Sequence, residues 1–254
     1  MLRILILASC NLFFTACSDE KNQNFGSNDA TSNSSVKSIK FEEVDSSLTL
    51  SKTPQTFDSL IDVKELNASI LVDLKYSTDD NFMHMRLYDK FDRAYLQKDV
   101  AVRLAKVQDA LSKKKPGFQL LIYDALRPVS VQRKMWEALD SLPPSRRGKF
   151  VSNPDKRSLH NMGAAVDITI VNEKGIPLDM GAGFDDIREI AYPSLEQQFL
   201  KSGELSTKQL ENRLLLRRLM QAQGFRQLET EWWHYNACSR SEALKKYKVL
   251  LDEF

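Results

Sequence analysis

The stretch SLHNMGAAVDITI, residues 158–170, constrains this chain more than any other. Val166, Ile168 and Ile170 alternate with Asp167 and Thr169, the period of a strand with one apolar face and one face carrying a carboxylate. His160 stands seven residues before Asp167. A straight strand would send residues at that odd spacing to opposite faces. If the two act together the chain must bend between them, and Gly163 is the residue that can take the bend.

The chain has 254 residues, enough for one good-sized core or two small ones. Its 36 basic and 34 acidic residues nearly cancel and are spread along the sequence, which argues against nucleic acid as a partner, since that demands a clustered basic stripe. No protein partner is implied. The N-terminus, MLRILILASCNLFFTAC, carries Arg3, an apolar run, a small residue and a cysteine. The run is too short to cross a membrane as a helix and fits an export signal. FTAC resembles a bacterial lipoprotein signal, in which the cysteine becomes the lipidated first residue. We favour Cys17 over Cys10 because LASC leaves a very short apolar region; an ordinary cleaved signal would still mean export. Residues 18–56 are rich in Ser, Asn, Asp, Lys and Thr and too poor in apolar groups to offset the entropy of ordering. The expected organisation is therefore a signal peptide over 1–16, a polar tether over 17–56 and a globular domain over 57–254, exported and anchored to a membrane by lipid. Only Cys238 lies in the globular part, so packing rather than an internal disulfide must hold it together.

Within that domain SILVDLKYST reads as a strand. KDVAVRLAKVQDALSKKK places Val100, Leu104, Val107 and Leu111 at helical spacing before Pro116-Gly117. FQLLIYDALRP is a buried strand leading to a loop at Arg127-Pro128, and VSVQRKMWEALD a helix ended by Pro143-Pro144. A further helix starts at Ser206, whose spacing to Gln209 fits a capping box, and stops before Gly224. LETEWWHYNA is aromatic and reads as a strand. Strands and helices mix without regular alternation, so the expected class is α+β: one domain with a central antiparallel sheet flanked by helices.

Catalytic zinc sites use three protein ligands and keep one position open. His160, Asp167 and His234 provide such a set, two imidazoles and a carboxylate. Glu231 and His234 are three apart in a segment that favours strand, so twist or a bulge is needed to bring them together. Taken alone, each histidine reads more readily as a satisfied core residue than as a ligand, and the H-E-x-x-H helix of common zinc proteases is missing.

Several segments together resemble the D-alanyl-D-alanine dipeptidases, the VanX-like zinc D,D-dipeptidases of peptidase family M15. The pattern S-x-H-x-x-G-x-A-x-D is met as Ser158, His160, Gly163, Ala165 and Asp167, and E-W-W-H as Glu231 to His234. YDALRP resembles the family's arginine loop, MGAGFD its substrate-loop motif and, more weakly, DNF at Asp80 to Phe82 its N-terminal substrate loop. These segments span residues 73–235 in the family's order. The resemblance implies one zinc ion on His160, Asp167 and His234, with Glu231 as general base and Arg127 supporting the anionic intermediate. It implies that Asp185 holds the substrate ammonium, with Asp186 beside it a solvated loop acid. Ser158 either contacts the substrate carboxylate or caps the loop. The third histidine, His84, stands where the family has a small-residue turn and is expected not to be a ligand.

The implied reaction is hydrolysis of the free D-alanyl-D-alanine dipeptide. The rival enzyme reading is a zinc D,D-carboxypeptidase or endopeptidase acting on peptidoglycan, against which the MGAGFD and YDALRP segments weigh. The rival outside enzymes is a lipid-tethered binding protein that lost catalysis; such a binder needs neither Glu231 nor Arg127.

Overall fold

The computed structural model describes residues 59–148 and 150–254. The signal peptide, the tether, Cys10 and Cys17 lie outside the described residues. In chain order the elements are β1 (Leu60–Asp62), α1 (Val63–Leu66), β2 (Leu71–Val72), β3 (Tyr95–Gln97), α2 (Lys98–Lys114), β4 (Gln119–Asp124), α3 (Val129–Ala138) and α4 (Pro144–Arg147). There follow β5 (Ala165–Val171), α5 (Glu196–Ser202), α6 (Thr207–Ala222), β6 (Arg226–Leu228), β7 (Glu231–Asn236) and α7 (Arg240–Lys246).

The main sheet runs β2-β4-β5-β7-β6 with β5 in the middle, and β1 pairs with β3 in a separate ribbon. The central pairs are antiparallel, but β2 lies parallel to β4, so the sheet is mixed at one edge rather than wholly antiparallel. The long helices form where expected. α2 buries Val100, Leu104, Val107 and Leu111, starts with Asp99 and ends on Lys113 and Lys114, charges that suit the two ends of its dipole. α6 begins with a complete capping box between Ser206 and Gln209. Val166, Ile168 and Ile170 of β5 enter the same core as the buried face of α2.

Three expectations are corrected. SILVDLKYST yields only the two-residue β2: the Asp73 N–H still donates to the Ile122 carbonyl, after which Lys75–Ser77 tighten into a 3-10 turn. α3 stops at Ala138, short of the double proline, and Pro144 instead opens α4. LETEWWHYNA is a hairpin corner rather than one strand, since Leu228 ends β6 and Glu231 begins β7. Every residue of β5 is buried, so its polar face looks into the protein.

The bend before β5 forms as the spacing required. His160–Met162 make a 3-10 turn closed by Gly163 at φ +61°. A Cβ on Gly163 would come within 3.0 Å of Leu60 Cδ2 and 3.1 Å of the Gln97 nitrogen, so both the left-handed backbone and the close approach of β3 demand glycine. Gln97 clamps the turn, its N–H on the Gly163 carbonyl and its Nε2 on that of Met162.

Candidate active site

The sheet register lays out the site. Asp124 on β4 stands opposite Asp167 on β5, and Asp167 stands opposite His234 on β7. Three polar side chains thus form a row across adjacent strands, and the 3-10 turn brings His160 onto it. His160 Nε2 faces His234 Nδ1 at 3.2 Å, His234 Nδ1 lies 2.9 Å from Asp167 Oδ1, and His160 Nε2 lies 3.5 Å from the same oxygen.

The outer nitrogens are tied down. His160 Nδ1 donates to the Ala125 carbonyl at 2.6 Å, and His234 Nε2 donates to Asn236 Oδ1 at 2.9 Å. This leaves the two inner nitrogens and the Asp167 carboxylate converging on one point, the tautomer arrangement that outer hydrogen bonds impose on metal-binding imidazoles. Ligands around a tetrahedral zinc, each at about 2.0–2.2 Å, lie about 3.3–3.5 Å from one another. The observed separations of 3.5, 3.2 and 2.9 Å run from that spacing to somewhat inside it, and these three residues form the potential metal-holding group among the described residues. Burial pushes the Asp167 carboxyl up, but His160 and His234 outweigh it and hold it well below the usual carboxylate range. Burial likewise opposes charge on His234, yet its hydrogen bond to Asp167 raises it to about 9.

Glu231 reaches the triangle because β7 is irregular. Between the Gln227–Tyr235 and Leu228–Glu231 pairs, β6 advances by one residue while β7 advances by four. This bulge places Glu231 Oε2 3.8 Å from His234 Nδ1, although a flat strand would separate residues at that spacing. Burial raises the Glu231 carboxyl above its ordinary value, with Asp167 adding to the effect.

Arg127 is buried and held by Asp124, whose Oδ2 accepts from Nε at 2.9 Å and from Nη2 at 2.6 Å. The Tyr88 hydroxyl donates to the other oxygen of Asp124 at 2.5 Å. So anchored, the guanidinium lies over the Tyr76 ring, 5.0 Å from its centroid, and brings Nη2 to 3.6 Å from Asp167 Oδ2. Burial opposes its charge, but Asp124 more than compensates and the group stays cationic.

Asp185 sits in the MGAGFD loop at φ +59°. Its carboxylate accepts from the Tyr76 hydroxyl at 3.2 and 3.0 Å. Burial, and next the negative charge of Asp167, raise its pKa well above the carboxylate norm. Asp186 is not the solvated acid expected: its side chain is 12% exposed, lines the same cleft as Asp185 and pairs with Arg188 at 2.5 Å. Asp185 and Glu231 line one cleft together with Phe82, Tyr192 and Trp233.

Ser158 does not cap the turn through its hydroxyl. Its backbone N–H donates to Asn161 Oδ1, while its Oγ is buried without a hydrogen-bond partner among the described residues. His84 is exposed at φ +51° and lines a neighbouring groove with Lys75 and Tyr123, apart from the triangle. Sequence reasoning missed Asp124, Tyr76, Tyr88 and Asn236. Asp124 was in view inside YDALRP, and Asn236 follows His234 by the two-residue step that shares a strand face.

The D-ala-D-ala dipeptidase family, Peptidase_M15, matches residues 57–249. The D-alanyl-D-alanine dipeptidase of Escherichia coli K12 is 32% identical over 198 residues, covering 77% of this chain and 91% of the relative. That of Synechocystis sp. PCC 6803 is 28% identical over 168 residues, 56% and 68% of the two chains. That of Enterococcus faecalis V583 is 27% identical over 176 residues, 64% and 83%. A solved vancomycin-resistance D,D-pentapeptidase in complex with Zn(II) aligns with a TM-score of 0.32 and 15% identity over 61% of this chain and 79% of that one, too little to carry weight. The extent of the family match and the likeness to the Escherichia coli enzyme over nearly its whole length establish that this chain belongs to the D-Ala-D-Ala dipeptidase family of M15 peptidases.

Proposed function

We infer that this chain hydrolyses the free dipeptide D-alanyl-D-alanine to two D-alanines, using one zinc ion held by His160, Asp167 and His234. The observation that carries the reading is the triangle of inner donor atoms at 2.9–3.5 Å, with both imidazoles fixed from behind by a protein group. When bound, zinc supplies Lewis-acid chemistry, lowering the pKa of a water and polarising the scissile carbonyl. Glu231 takes the proton of the attacking water on its carboxylate and hands it to the departing amine. Its position at the lip of the triangle and its raised pKa suit both halves of that transfer. Arg127 supplies fixed positive charge where the carbonyl oxygen becomes anionic, and Asp124 and Tyr88 keep it aimed without reorganisation. Asp185 takes the substrate ammonium and so favours a free N-terminus, and Ser158 remains a candidate for the substrate carboxylate. The test is D-alanine release from D-alanyl-D-alanine by the purified globular domain, expected to stop with a chelator and return with Zn2+. Activity indifferent to chelation would overturn the reading.

We also propose that the protein is exported and lipid-anchored through Cys17. The support is the apolar run behind Arg3 and the long polar stretch before residue 57. One acyl chain binds membranes only marginally, so stable anchoring needs more than one. An enzyme so placed meets dipeptides released from the cell wall, which makes scavenging its natural role. The protein is expected to fractionate with membranes, and Cys17→Ser to release it or block its processing. Wild-type protein recovered wholly as a soluble cytoplasmic species would rule this out.

A further inference from the structure

The loop that carries Asp185 leaves the sheet region after Met180 and returns at Ile190, and both ends meet one side chain. Arg213, on α6, is 1% exposed. Its Nε donates to the Met180 carbonyl at 2.6 Å and its Nη2 to the Ile190 carbonyl at 2.9 Å. A single planar guanidinium therefore closes the mouth of the loop. Its third arm, Nη1, lies 3.5 Å from Glu196 Oε1, an ion-pair approach without a hydrogen bond. Neighbouring side chains of the same helix grip the residue just before the loop: Asn212 Nδ2 donates to the Asp179 carbonyl and Gln209 Nε2 to its carboxylate. From the other side, Trp232 Nε1 donates to the Ala182 carbonyl at 3.1 Å, which ties the loop to the strand bearing Glu231 and His234.

Burying an arginine is unfavourable unless its donors are satisfied. The two hydrogen bonds its side chain makes among the described residues both go to main-chain carbonyls of one loop, not to a carboxylate that would merely neutralise the charge. Glu196 does not depend on Arg213 for compensation, because Arg217 Nη2 reaches the same oxygen at 2.6 Å. Asp185 meanwhile holds a left-handed backbone conformation, uncommon for a residue with a β-carbon though tolerated by aspartate better than by most.

We propose that Arg213 is a positioning residue for substrate recognition: by bridging the Met180 and Ile190 carbonyls it fixes the loop that presents Asp185 to the substrate ammonium. The inference rests on the reading of Asp185 given above. Lysine at 213 keeps the charge but has one point-like head in place of a fork, so it cannot span both carbonyls with the same geometry.

The experiment compares Arg213→Lys, Asp185→Asn and the double variant, each zinc-loaded, by steady-state kinetics with D-alanyl-D-alanine. Hydrogen exchange of residues 181–189 is measured alongside. Arg213→Lys is expected to raise KM about tenfold with kcat within about twofold, and to speed exchange in the loop. The double variant should be no worse in KM than Asp185→Asn alone, because a residue that acts through Asp185 has nothing left to position. A general packing defect would instead multiply the two effects, and that result overturns the proposal. So does a wild-type KM in Arg213→Lys beside a raised KM in Asp185→Asn. A wild-type KM in Asp185→Asn would overturn the ammonium reading itself. If Arg213→Lys does not fold, Asn212→Ala loosens the same end of the loop and is held to the same criteria.

Discussion

The site is assembled from two regions built on different principles. Asp124, Asp167 and His234 are placed by strand pairing, one beside the next across β4, β5 and β7. Asp185 is placed by a loop without ladder hydrogen bonds, held at its ends by side chains of α6. Sheet register fixes a side chain to within the spacing of a ladder and tolerates little adjustment. A loop pinned by side chains can be retuned by single substitutions that leave the core alone. On the roles proposed above, two of the three metal ligands are carried by the sheet and the reading of the substrate by the loop.

The contrast is broken most severely at the triangle, where His234 sits on the ladder and His160 on the turn beside it. His160→Ala or His234→Ala removes one corner of the triangle, and zinc content by metal analysis should fall together with all measurable turnover. Stoichiometric zinc in either variant would refute the ligand assignment. Next in size, Glu231→Ala should keep zinc and fold while losing about 10²–10⁴-fold in kcat, because it handles protons and does not touch the ion. Retention of more than about a tenth of the activity would remove it from the role of general base.

Arg127→Ala should lower kcat by about 10²-fold, through lost stabilisation of the developing negative charge. It should also destabilise the domain, since the buried Asp124 loses its cation. An effect confined to KM would make Arg127 a ground-state binder. The smallest change belongs to the loop. Asp185→Asn should raise KM about tenfold with kcat nearly unchanged, the loss of one charge-assisted contact. The pH dependence follows with a definite sign. Asp185 attracts the ammonium only when ionised, and its pKa is raised, so kcat/KM should fall as pH drops through a value above the ordinary carboxylate range. The asparagine variant should lack that component of the acid limb. Superimposable profiles would mean that Asp185 does not read the substrate.

The same division explains what the sequence disclosed. The long helices and the β4 and β5 strands were legible because their apolar spacing alone determines them. The two-residue β2, the ribbon of β1 and β3 and the parallel edge were not, because elements so short are fixed by partners far along the chain. His160, Asp167 and His234 could be named from spacing and motif, and the need for a bend at Gly163 and for a bulge near Glu231 could be stated in advance. The supporting layer stayed hidden. Tyr76 and Tyr88 look like ordinary core aromatics, and Arg213 looks like one more charge on a helix rich in them. Only its place on the buried stripe with Leu210 and Leu216 separates it from the exposed charges around it.

The pairing of Asp167 with His234 also bears on how the protein acquires its ion. The two residues are direct cross-strand partners in the centre of a buried sheet, and the outer nitrogens of both imidazoles are already engaged by the protein. Because strand pairing and main-chain contacts place these ligands, the fold is expected not to depend on the ion, unlike small zinc modules whose chains collapse only around metal. Stripping the ion should leave the thermal transition cooperative and circular dichroism unchanged, and adding it back should restore activity within the mixing time, with no refolding step. A chain that folds before it meets the ion can therefore be charged with metal wherever it first encounters a supply.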